Sequence, residues 1–438
     1  MEVNKYTLDN GLRLVHVYDP DTVMVAVNVL YDVGARDERP ELTGMAHLFE
    51  HLMFGGSVNV PDFDGRLSAA GGHSNAWTSS DFTNFYDVLP AVNLSTALWL
   101  ESDRMLQLDF SERSLQVQQS VVVEEFKQMC LNRPYGDMDH RLREMAYRVH
   151  PYRTPVIGKD FSHIEKVTLD DVREWFYSHY GPSNAVIAIC GNVPFEEAVV
   201  ETERWFGGIP RRATAVRRCP AEPEQTEPRR AEASGDVPNT MIKVVYPMDG
   251  YGTQGYFEAD TISDILANGR SSRFYRELLL KGGQFAEIDA SIIGSEDPGL
   301  FLISATLSES GPEAEERALK AIREQLERLK QEPPGAGELR RCVNLLESNR
   351  TFSNLNCLQV AQTAAMAEMH GEHPDDFMRP YRLHTPERIS EAAARLFRPE
   401  KEGVLVYRGG LGRRQRSEGR GKGRGGYAVK QREFGGNF

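Results

Sequence analysis

The stretch of the sequence that could carry out chemistry is HLFEH, residues 47–51, within the longer segment TGMAHLFEHLMFGG. In a helix, positions i, i+3 and i+4 share one face, so His47, Glu50 and His51 would project together. Two imidazoles in this arrangement can hold one Zn²⁺ at about 2.0–2.1 Å each, and a catalytic zinc needs a third protein ligand and an open position. The Glu50 carboxylate would then be placed to take a proton from a water molecule that the metal activates.

A third candidate ligand lies in VQQSVVVEEFKQ, which offers Glu124 and Glu125 beside a β-branched, buried-looking run. A carboxylate against such a run needs a partner, and a cation supplies one. In the alternative reading, the two histidines are hydrogen-bonded core residues and Glu50 is a helix-surface charge. An ordinary solvated helix face would also explain one of the two later glutamates, but hardly both. The pattern therefore favours a metal site and leaves the choice between Glu124 and Glu125 open.

The elements that must position these residues follow from the spacing of apolar residues. YTLDNGLRLVHVY predicts two strands around the turn dipeptide Asn10-Gly11, and VMVAVNVLYDVG predicts a buried strand. LTGMAHLFEHLMF predicts a helix with Thr43 as its N-cap. The segment GGHSNAWTSSDFTNFYDVLP has strand composition, and helices are expected at about 91–107 and 112–131. NAVIAICGNV then predicts the last strand of the first half.

The second half repeats this order of elements. MIKVVYPM predicts a strand, YFEADTISDILANGRSSRFYRELLL a helix, and AEIDASII and GLFLISATL two further strands. GPEAEERALKAIREQLERLKQE predicts an amphipathic helix and GVLVYR a final strand. This is a weak internal duplication. The predicted fold class is α+β, with two similar domains that each pack helices on a mostly antiparallel sheet.

Changes in composition divide the chain into four parts. We predict an N-terminal metal-binding domain at 1–210, a linker rich in Pro, Ala and charge at 211–237, and a C-terminal domain without a metal site at 238–409. The remaining part, 410–438, is a Gly/Arg-rich tail that carries eight Arg and Lys residues. Such a tail can hold RNA or an acidic surface, but its composition favours a disordered, solvated terminus.

Bulk properties exclude several classes of protein. The formal net charge of −13 disfavours nucleic acid as the main partner of the domains. We find neither a secretion signal nor an apolar run of the length that spans a membrane, so no membrane association is expected. The five cysteines are scattered without CxxC spacing, which argues against a disulfide framework and favours a reducing compartment. We therefore expect a cytoplasmic protein.

Taken together, these segments resemble the insulinase/pitrilysin family of zinc peptidases, whose HxxEH order is the inverse of HExxH. The similarity is to the subgroup with short, two-domain chains, which includes the mitochondrial processing peptidases and bacterial relatives. It extends from about Tyr6 to Tyr407. The matching blocks are HLFEHLMFGG, GGHSNAWTSSDFTNFYDVLP, VVVEEFKQ, HPYRTPVIGKDFSHIEKVTLDDVREWFYSHYGPSNAVIAICGNV and GRSSRFYRELL.

The resemblance implies a role for each residue of the motif. It assigns His47 and His51 as zinc ligands, Glu50 as the general base, and one Zn²⁺ per chain. The third ligand in this family is the second acid of a Glu-Glu pair, which selects Glu125 and leaves Glu124 beside the site.

The resemblance also implies a substrate-binding strand and one departure close to the site. Asn75 and Ala76 match an edge strand to which the substrate backbone adds as a further β-strand. The family often has a second glutamate two helical turns before the metal-binding one. Here that position is Gln118, which is uncharged and would lie next to the ligands.

A larger departure lies in the second half. Family members commonly supply an Arg and a Tyr, seven residues apart, that hold the substrate carbonyl and the developing oxyanion. Aligning SSRFYRELLLKGGQFAEIDA on its SSR places Leu279 and Ala286 at these positions. Arg276 and Phe285 are near but out of register.

The resemblance therefore implies a zinc-dependent endopeptidase acting on peptides or unfolded polypeptides. We expect the chain to be the zinc-bearing subunit of a dimer, either a homodimer or a heterodimer whose related subunit supplies the Arg/Tyr pair. The alternative is a catalytically silent subunit of the same fold that binds peptides or serves in assembly.

Overall fold

The computed structural model describes residues 2–217 and 219–409, which form eleven strands and fourteen α-helices. The strands are β1 Asn4–Thr7, β2 Arg13–Tyr18, β3 Met24–Tyr31, β4 His73–Thr78, β5 Thr83–Pro90, β6 Ala185–Gly191, β7 Arg229–Gly235, β8 Met241–Pro247, β9 Phe285–Ile293, β10 Leu300–Leu307 and β11 Gly403–Gly409. The helices are α1 Met45–Leu52, α2 Phe63–Ala69, α3 Leu94–Leu106, α4 Glu112–Phe126, α5 Met138–Ala146, α6 Phe161–Glu165, α7 Leu169–His179, α8 Phe195–Phe206, α9 Gln254–Ala267, α10 Pro312–Gln331, α11 Ala336–Ser353, α12 Cys357–Met369, α13 Arg379–Arg382 and α14 Pro386–Leu396.

The strands form two sheets with the same topology. The first has the order β1-β2-β6-β3-β5-β4, and the second has the order β7-β11-β8-β10-β9. When β1 is left out and the five strands of each sheet are numbered along the chain, both sheets have the order 1-5-2-4-3. In each sheet one pair is parallel, β2 with β6 and β7 with β11, and the other pairs are antiparallel. The predicted α+β fold with two similar, mostly antiparallel halves is therefore confirmed.

Each sheet is covered on both faces, and each half of the chain lends one helix to the other. One face of the first sheet packs against helices of its own half, including α1, α3 and α4. Its other face is covered by α12 from the second half. In the same way α5, from the first half, lies against one face of the second sheet, whereas α9, α10 and α14 cover the opposite face. The two halves thus complete each other's cores.

The structure corrects several sequence predictions. Residues 229–235, which were assigned to the linker, form β7, because they pair in parallel with β11 in a long-range contact. The single helix predicted from Tyr256 onward ends at Ala267, shortly before Gly269, whose φ of +83° is a left-handed conformation. Residues 275–279 follow as a separate π-helical turn. Helices α2, α5 to α8 and α11 to α14 were not predicted from the sequence.

The predicted tail, residues 410–438, lies outside the described residues. Among the residues that the structure describes, none of the helices has the length and apolar character needed to cross a bilayer.

Candidate metal centre

Helix α1 presents three polar side chains because its apolar side is held in the core. Met45, Leu48, Phe49 and Leu52 are buried. The ring of Phe49 stacks on Tyr180, with centroids 4.4 Å apart. The opposite side of the helix, which is less buried, carries His47, Glu50 and His51.

Thr43 does not cap the N-terminus of α1, contrary to the prediction from the sequence. The residue before the helix is Gly44, whose φ of +89° is left-handed and which has no side chain to act as a cap. The Glu38 carboxylate accepts hydrogen bonds from Gly44 N at 2.8 Å and from Ala46 N at 2.9 Å instead. Thr43 Oγ1 accepts a hydrogen bond from Lys159 N at 2.8 Å. Burial raises the pKa of Glu38 to about 8, although the two main-chain hydrogen bonds act in the opposite direction.

Helix α4 brings the third candidate ligand to α1. It begins after Ser111, whose side chain accepts a hydrogen bond from Ser114 N. Its buried residues, Leu115, Val122 and Phe126 among them, hold it against the core. Glu125 Oε2 then lies 3.3 Å from His47 Nε2 and 3.4 Å from His51 Nε2. After α4 ends at Phe126, residues 127–131 form a π-helical turn where the sequence predicts a continued α-helix.

The three side chains have the spacing that one tetrahedral ion requires. Each offers a ligand atom within 4.8 Å of the other two. Ligands about 2.0–2.1 Å from a tetrahedral ion lie about 3.3–3.4 Å from each other. The two separations between Glu125 and the histidines have these values. Two imidazoles and one carboxylate form a donor set that zinc accepts, so the residues fit the ion.

The charges in the site favour a cation at this position. Burial alone would lower the pKa of His47, but hydrogen bonds and charge from Glu125 and Glu50 outweigh it and raise the pKa to about 9. Hydrogen bonds to His47 and His51 hold the pKa of Glu125 far below its usual range. The site therefore stabilises positive charge on the imidazole of His47, where a proton and a metal ion would compete for the same nitrogen.

Glu50 lies beside the histidines and is held from the neighbouring sheet. Thr78 Oγ1 on β4 donates a hydrogen bond to Glu50 Oε2 at 2.5 Å. The same oxygen lies 3.6 Å from His47 Nδ1. The Glu50 carboxylate thus adjoins the three-residue cluster without being part of it.

The other predicted residues near the ligands have different positions. Glu124 points away from the histidines; it is 73% exposed and pairs with Lys127 at 2.7 Å. Gln118 is partly buried, two turns before Glu125 on α4, and its Nε2 lies 3.9 Å from the place that a Cβ would take at Gly55. The structure thus brings Gln118 to the end of α1 and does not bring Glu124 to the site.

Asn75 and Ala76 lie on β4, at one edge of the first sheet. Among the described strands, β4 pairs with β5 alone. Asn75 is exposed, and its Oδ1 accepts a hydrogen bond from Ala76 N at 2.8 Å. The edge strand that the resemblance implied is present and runs next to Glu50 through Thr78.

Sequence reasoning missed two residues that position the site, Glu38 and Thr78. Thr78 could have been found, because it lies two residues after Ala76 and side chains two apart share one face of a strand. Glu38 gave no comparable local signal. It caps α1 from outside the helix, six residues before Gly44.

A second group of metal-binding side chains lies where the two halves meet. His150, Cys219 and Asp297 also bring ligand atoms within 4.8 Å of one another. However, His150 Nδ1 accepts a hydrogen bond from Tyr152 N at 3.2 Å. The ring proton is therefore on Nε2, which donates a hydrogen bond to the Asp297 carboxylate at 3.3 Å. A metal would need that nitrogen deprotonated. Since Arg36 Nη1 also lies 3.3 Å from the Asp297 carboxylate, the group is an ion-paired contact between the halves.

The second half lacks polar side chains at the two aligned positions. Leu279 is partly buried against the second core, and Ala286 is an exposed residue of β9. Arg276 points to solvent and pairs with Glu277 at 3.5 Å, and Phe285 is buried. Neither neighbour replaces the missing Arg/Tyr pair.

Two family models match the chain. The model described as "Insulinase (Peptidase family M16)" matches residues 13–160, and the model described as "Peptidase M16 inactive domain" matches residues 166–346. The first contains all of α1 and α4, and hence the three candidate ligands.

Known proteins and a solved structure resemble the chain over between about half and nearly all of its length. It is 30% identical over 331 residues to "Zinc protease PqqE" of Helicobacter pylori, covering 74% of each chain. It is 28% identical over 207 residues to "Probable mitochondrial-processing peptidase subunit beta, mitochondrial" of Arabidopsis thaliana, covering 47% of this chain and 39% of that protein. The crystal structure of a protease from Helicobacter pylori superimposes with a TM-score of 0.87 at 26% identity, covering 93% of this chain and 99% of that one.

Proposed function

The chain belongs to the insulinase family of peptidases, M16, and on that premise we propose that it is a zinc-dependent endopeptidase acting on peptides or unfolded polypeptides. The observation that carries the proposal is the approach of Glu125 to both histidines of α1, at 3.3 and 3.4 Å, with Glu50 on the same helix. A purely structural ion pair would need only one imidazole beside Glu125, whereas here two imidazoles from one helix approach the same carboxylate oxygen.

The roles of the residues follow from their positions. His47, His51 and Glu125 would hold the ion, which when bound lowers the pKa of water to about 7 and polarises a carbonyl. Glu50 takes a proton from the attacking water and can deliver it to the leaving amine, as a general base and then a general acid. Thr78 keeps the carboxylate beside the ligands through its 2.5 Å hydrogen bond.

The substrate would bind to the free edge of β4 as an added antiparallel or parallel strand. Asn75 and Ala76 lie on this edge, and Glu50 is hydrogen-bonded to the same strand. Main-chain pairing reads extended backbone more than side chains, so the proposal includes tolerance of sequence and a requirement for an unfolded substrate.

A partner chain is part of the proposal. With Leu279 and Ala286 at the aligned positions, this chain provides no Arg or Tyr there to stabilise the oxyanion. We propose that a related subunit supplies both. A catalytically silent peptide-binding or assembly subunit is the second candidate function, which the same two residues favour.

A peptidase assay on the purified chain, alone and with its co-purifying partner, tests these proposals. The substrate is a quenched-fluorescence peptide, and zinc content is measured by mass spectrometry. Wild type should hold one zinc, and Glu50→Gln should keep the metal while losing about 10²–10⁴-fold in rate. Zinc binding without any turnover above Glu50→Gln, with partner present, would favour the silent subunit. Full activity of the lone chain would exclude the need for a partner.

We further propose a reducing, cytoplasmic setting. All five cysteines are free thiols in the structure, and Cys130, Cys190 and Cys342 are buried. Fractionation of the source cells with an antibody against the chain tests this proposal, and recovery with an exported fraction would contradict it.

A further inference from the structure

Every second residue of β4 turns its main-chain groups toward the open edge. Ser79 N donates to Phe82 O at 2.8 Å, so this pair is a hydrogen-bonded one. Because antiparallel pairs alternate between bonded and non-bonded positions, Thr78 and Ala76 occupy non-bonded positions. In agreement, Ala76 N donates to the side chain of Asn75 rather than to β5. Thr78 thus offers its N–H and C=O to a strand that adds at this edge.

The side chain of Thr78 points to helix α1. Ala76, two residues earlier on the same face, packs against the hydrophobic core between the first sheet and helices α1, α3 and α4. Trp77 packs on the opposite face of the sheet, which α12 covers. Thr78 Oγ1 reaches Glu50 Oε2 at 2.5 Å, across 28 residues of chain. One residue therefore faces both the substrate edge, with its main chain, and the proposed general base, with its hydroxyl.

The contact restricts Glu50 in a way that a packing contact would not. A glutamate side chain has three rotatable bonds, and general-base catalysis needs its oxygen within hydrogen-bond reach of the reacting water. A hydroxyl on a β-branched side chain in a strand has a narrow choice of χ1 and gives a fixed point of attachment. Glu50 Oε2 lies between this hydroxyl and His47 Nδ1, the latter at 3.6 Å.

We propose that Thr78 is a positioning residue for peptide hydrolysis. Its hydroxyl fixes the orientation of the Glu50 carboxylate, and its main chain connects that carboxylate to the pairing of a substrate strand with β4. The inference rests on the proposed function. With Oε2 held by the hydroxyl, Oε1 is the oxygen that receives the proton of the attacking water, and Thr78 keeps its own proton. A peptide strand that pairs with the main chain of Thr78 restrains the residue that holds the base, so the base is best ordered when substrate is in place.

Thr78→Val and Thr78→Ser test the role of the hydroxyl. Valine keeps the shape and β-branching but cannot donate, and serine keeps the donor. In the full chain with its partner, Thr78→Val should lower kcat by about 10–100-fold. KM should stay within about twofold, because main-chain pairing is unchanged. Thr78→Ser should recover most of the lost rate, while zinc content and the thermal midpoint stay as in wild type.

Thr351→Val is the matched control. This threonine is on α11 in the second half, is exposed, and bonds only within its own helix, to Glu347 O at 2.8 Å. Its substitution should leave kcat unchanged. If Thr78→Val does not fold, Thr78→Ala carries the same prediction, since alanine fits a strand position that threonine occupies.

A binding measurement gives a readout that does not depend on turnover. In the Glu50→Gln background, a labelled peptide should bind with and without Thr78→Val at dissociation constants within about twofold, because no base remains to be positioned. A crystal structure of the zinc-loaded Thr78→Val protein should show Glu50 in more than one rotamer. A purely structural role predicts weaker peptide binding or lost zinc instead, and either result would overturn the proposal.

The outcomes separate this inference from the function on which it rests. If wild type is no faster than Glu50→Gln, the peptidase proposal fails and the role of Thr78 with it. If wild type is active and Thr78→Val is equally active with Glu50 in one rotamer, only the role of Thr78 is refuted. Failure of Thr78→Ser to exceed Thr78→Val in kcat also refutes it.

Discussion

Two adjacent glutamates in one helix illustrate how position decides chemistry at the scale of the residue. Glu125 faces α1 and lies within 3.4 Å of both histidines, whereas Glu124 is exposed and pairs with Lys127. Successive side chains on a helix are about 100° apart, so only one of two neighbours can face a given site. The family resemblance selected Glu125, and in the structure it is Glu125, not Glu124, that lies beside the two histidines.

The two glutamates therefore make a matched pair of substitutions. Loss of a residue that only hydrogen-bonds to a metal ligand lowers metal affinity about 10–100-fold. Glu125→Gln should lower zinc affinity by more than this, because it removes a ligand itself. Glu124→Gln should leave zinc content and activity as in wild type. Metal content after dialysis against a chelator of known affinity measures both. Equal zinc retention by the two variants would show that Glu125 is not a ligand.

The charge on His47 predicts how zinc affinity depends on pH. Its pKa, raised to about 9 by Glu125 and Glu50 against the opposing effect of burial, means that the imidazole is protonated at neutral pH before metal binds. Zinc must displace this proton, so the apparent association constant should rise about tenfold per pH unit up to about pH 9. Competition with a chelator between pH 6.5 and 8 measures the slope, and a flat profile would contradict the assignment.

At the scale of the element, α1 depends on a residue outside it. A helix of eight residues leaves its first N–H groups without partners in the helix. The Glu38 carboxylate accepts two hydrogen bonds there, which ties the N-terminus of α1 to the preceding loop. The two candidate histidine ligands thus lie on a short helix that is fixed at its start by Glu38 and along its length by the core.

Glu38→Ala should destabilise the protein by about 1–2 kcal/mol through loss of this cap. Glu38→Gln keeps one oxygen acceptor and should cost less. Urea unfolding of the metal-free proteins measures the difference, and zinc affinity should fall in the same order, because the two histidines share the helix. If Glu38→Ala unfolds at the same urea concentration as wild type, the capping role is wrong.

At the scale of the molecule, the two halves are joined by an ion-paired contact as well as by exchanged helices. Arg36, only 5% exposed, lies 2.8 Å from Asp81 in its own half and 3.3 Å from Asp297 in the other. Tyr152 donates to Asp81 at 2.5 Å and accepts from Asp297 N at 3.1 Å. Since Asp81 is in the turn that follows β4, this contact places the second half against the end of the proposed substrate edge.

Removal of Arg36 should be costly because it leaves a buried carboxylate without its cation. We expect Arg36→Met to lower the free energy of unfolding by about 3–5 kcal/mol at pH 8. Adding Asp81→Asn should recover part of this loss. Burial raises the pKa of Asp81 to about 6 despite Arg36, and removal of the cation should raise this pKa further, so the loss should already shrink as the pH falls from 8 toward 6 and the variant's carboxyl takes up a proton. A penalty below 1 kcal/mol, or one that grows in acid, would contradict the expectation.

The HxxEH residues and the repeated order of elements could be predicted from the sequence, because each depends on short-range spacing, whereas the choice of Glu125 came from the family resemblance. HxxEH places three side chains on one face of any helix, and alternating apolar residues mark the strands. The α+β class and the duplication followed from the same periodicities. Boundaries were less accurate, as at β7, where no local signal announces a parallel pairing with a strand more than 170 residues later.

Only the tertiary structure decided which side chains meet. Thr78 reaches Glu50 across 28 residues, Glu125 reaches His47 across 78, and Arg36 reaches Asp297 across 261. Local sequence pattern likewise does not predict that α12 packs on the first sheet and α5 on the second. Residue types and spacing determine the chemistry that a segment offers, but contacts between distant segments depend on how whole sheets and helices pack, which no short stretch of sequence encodes.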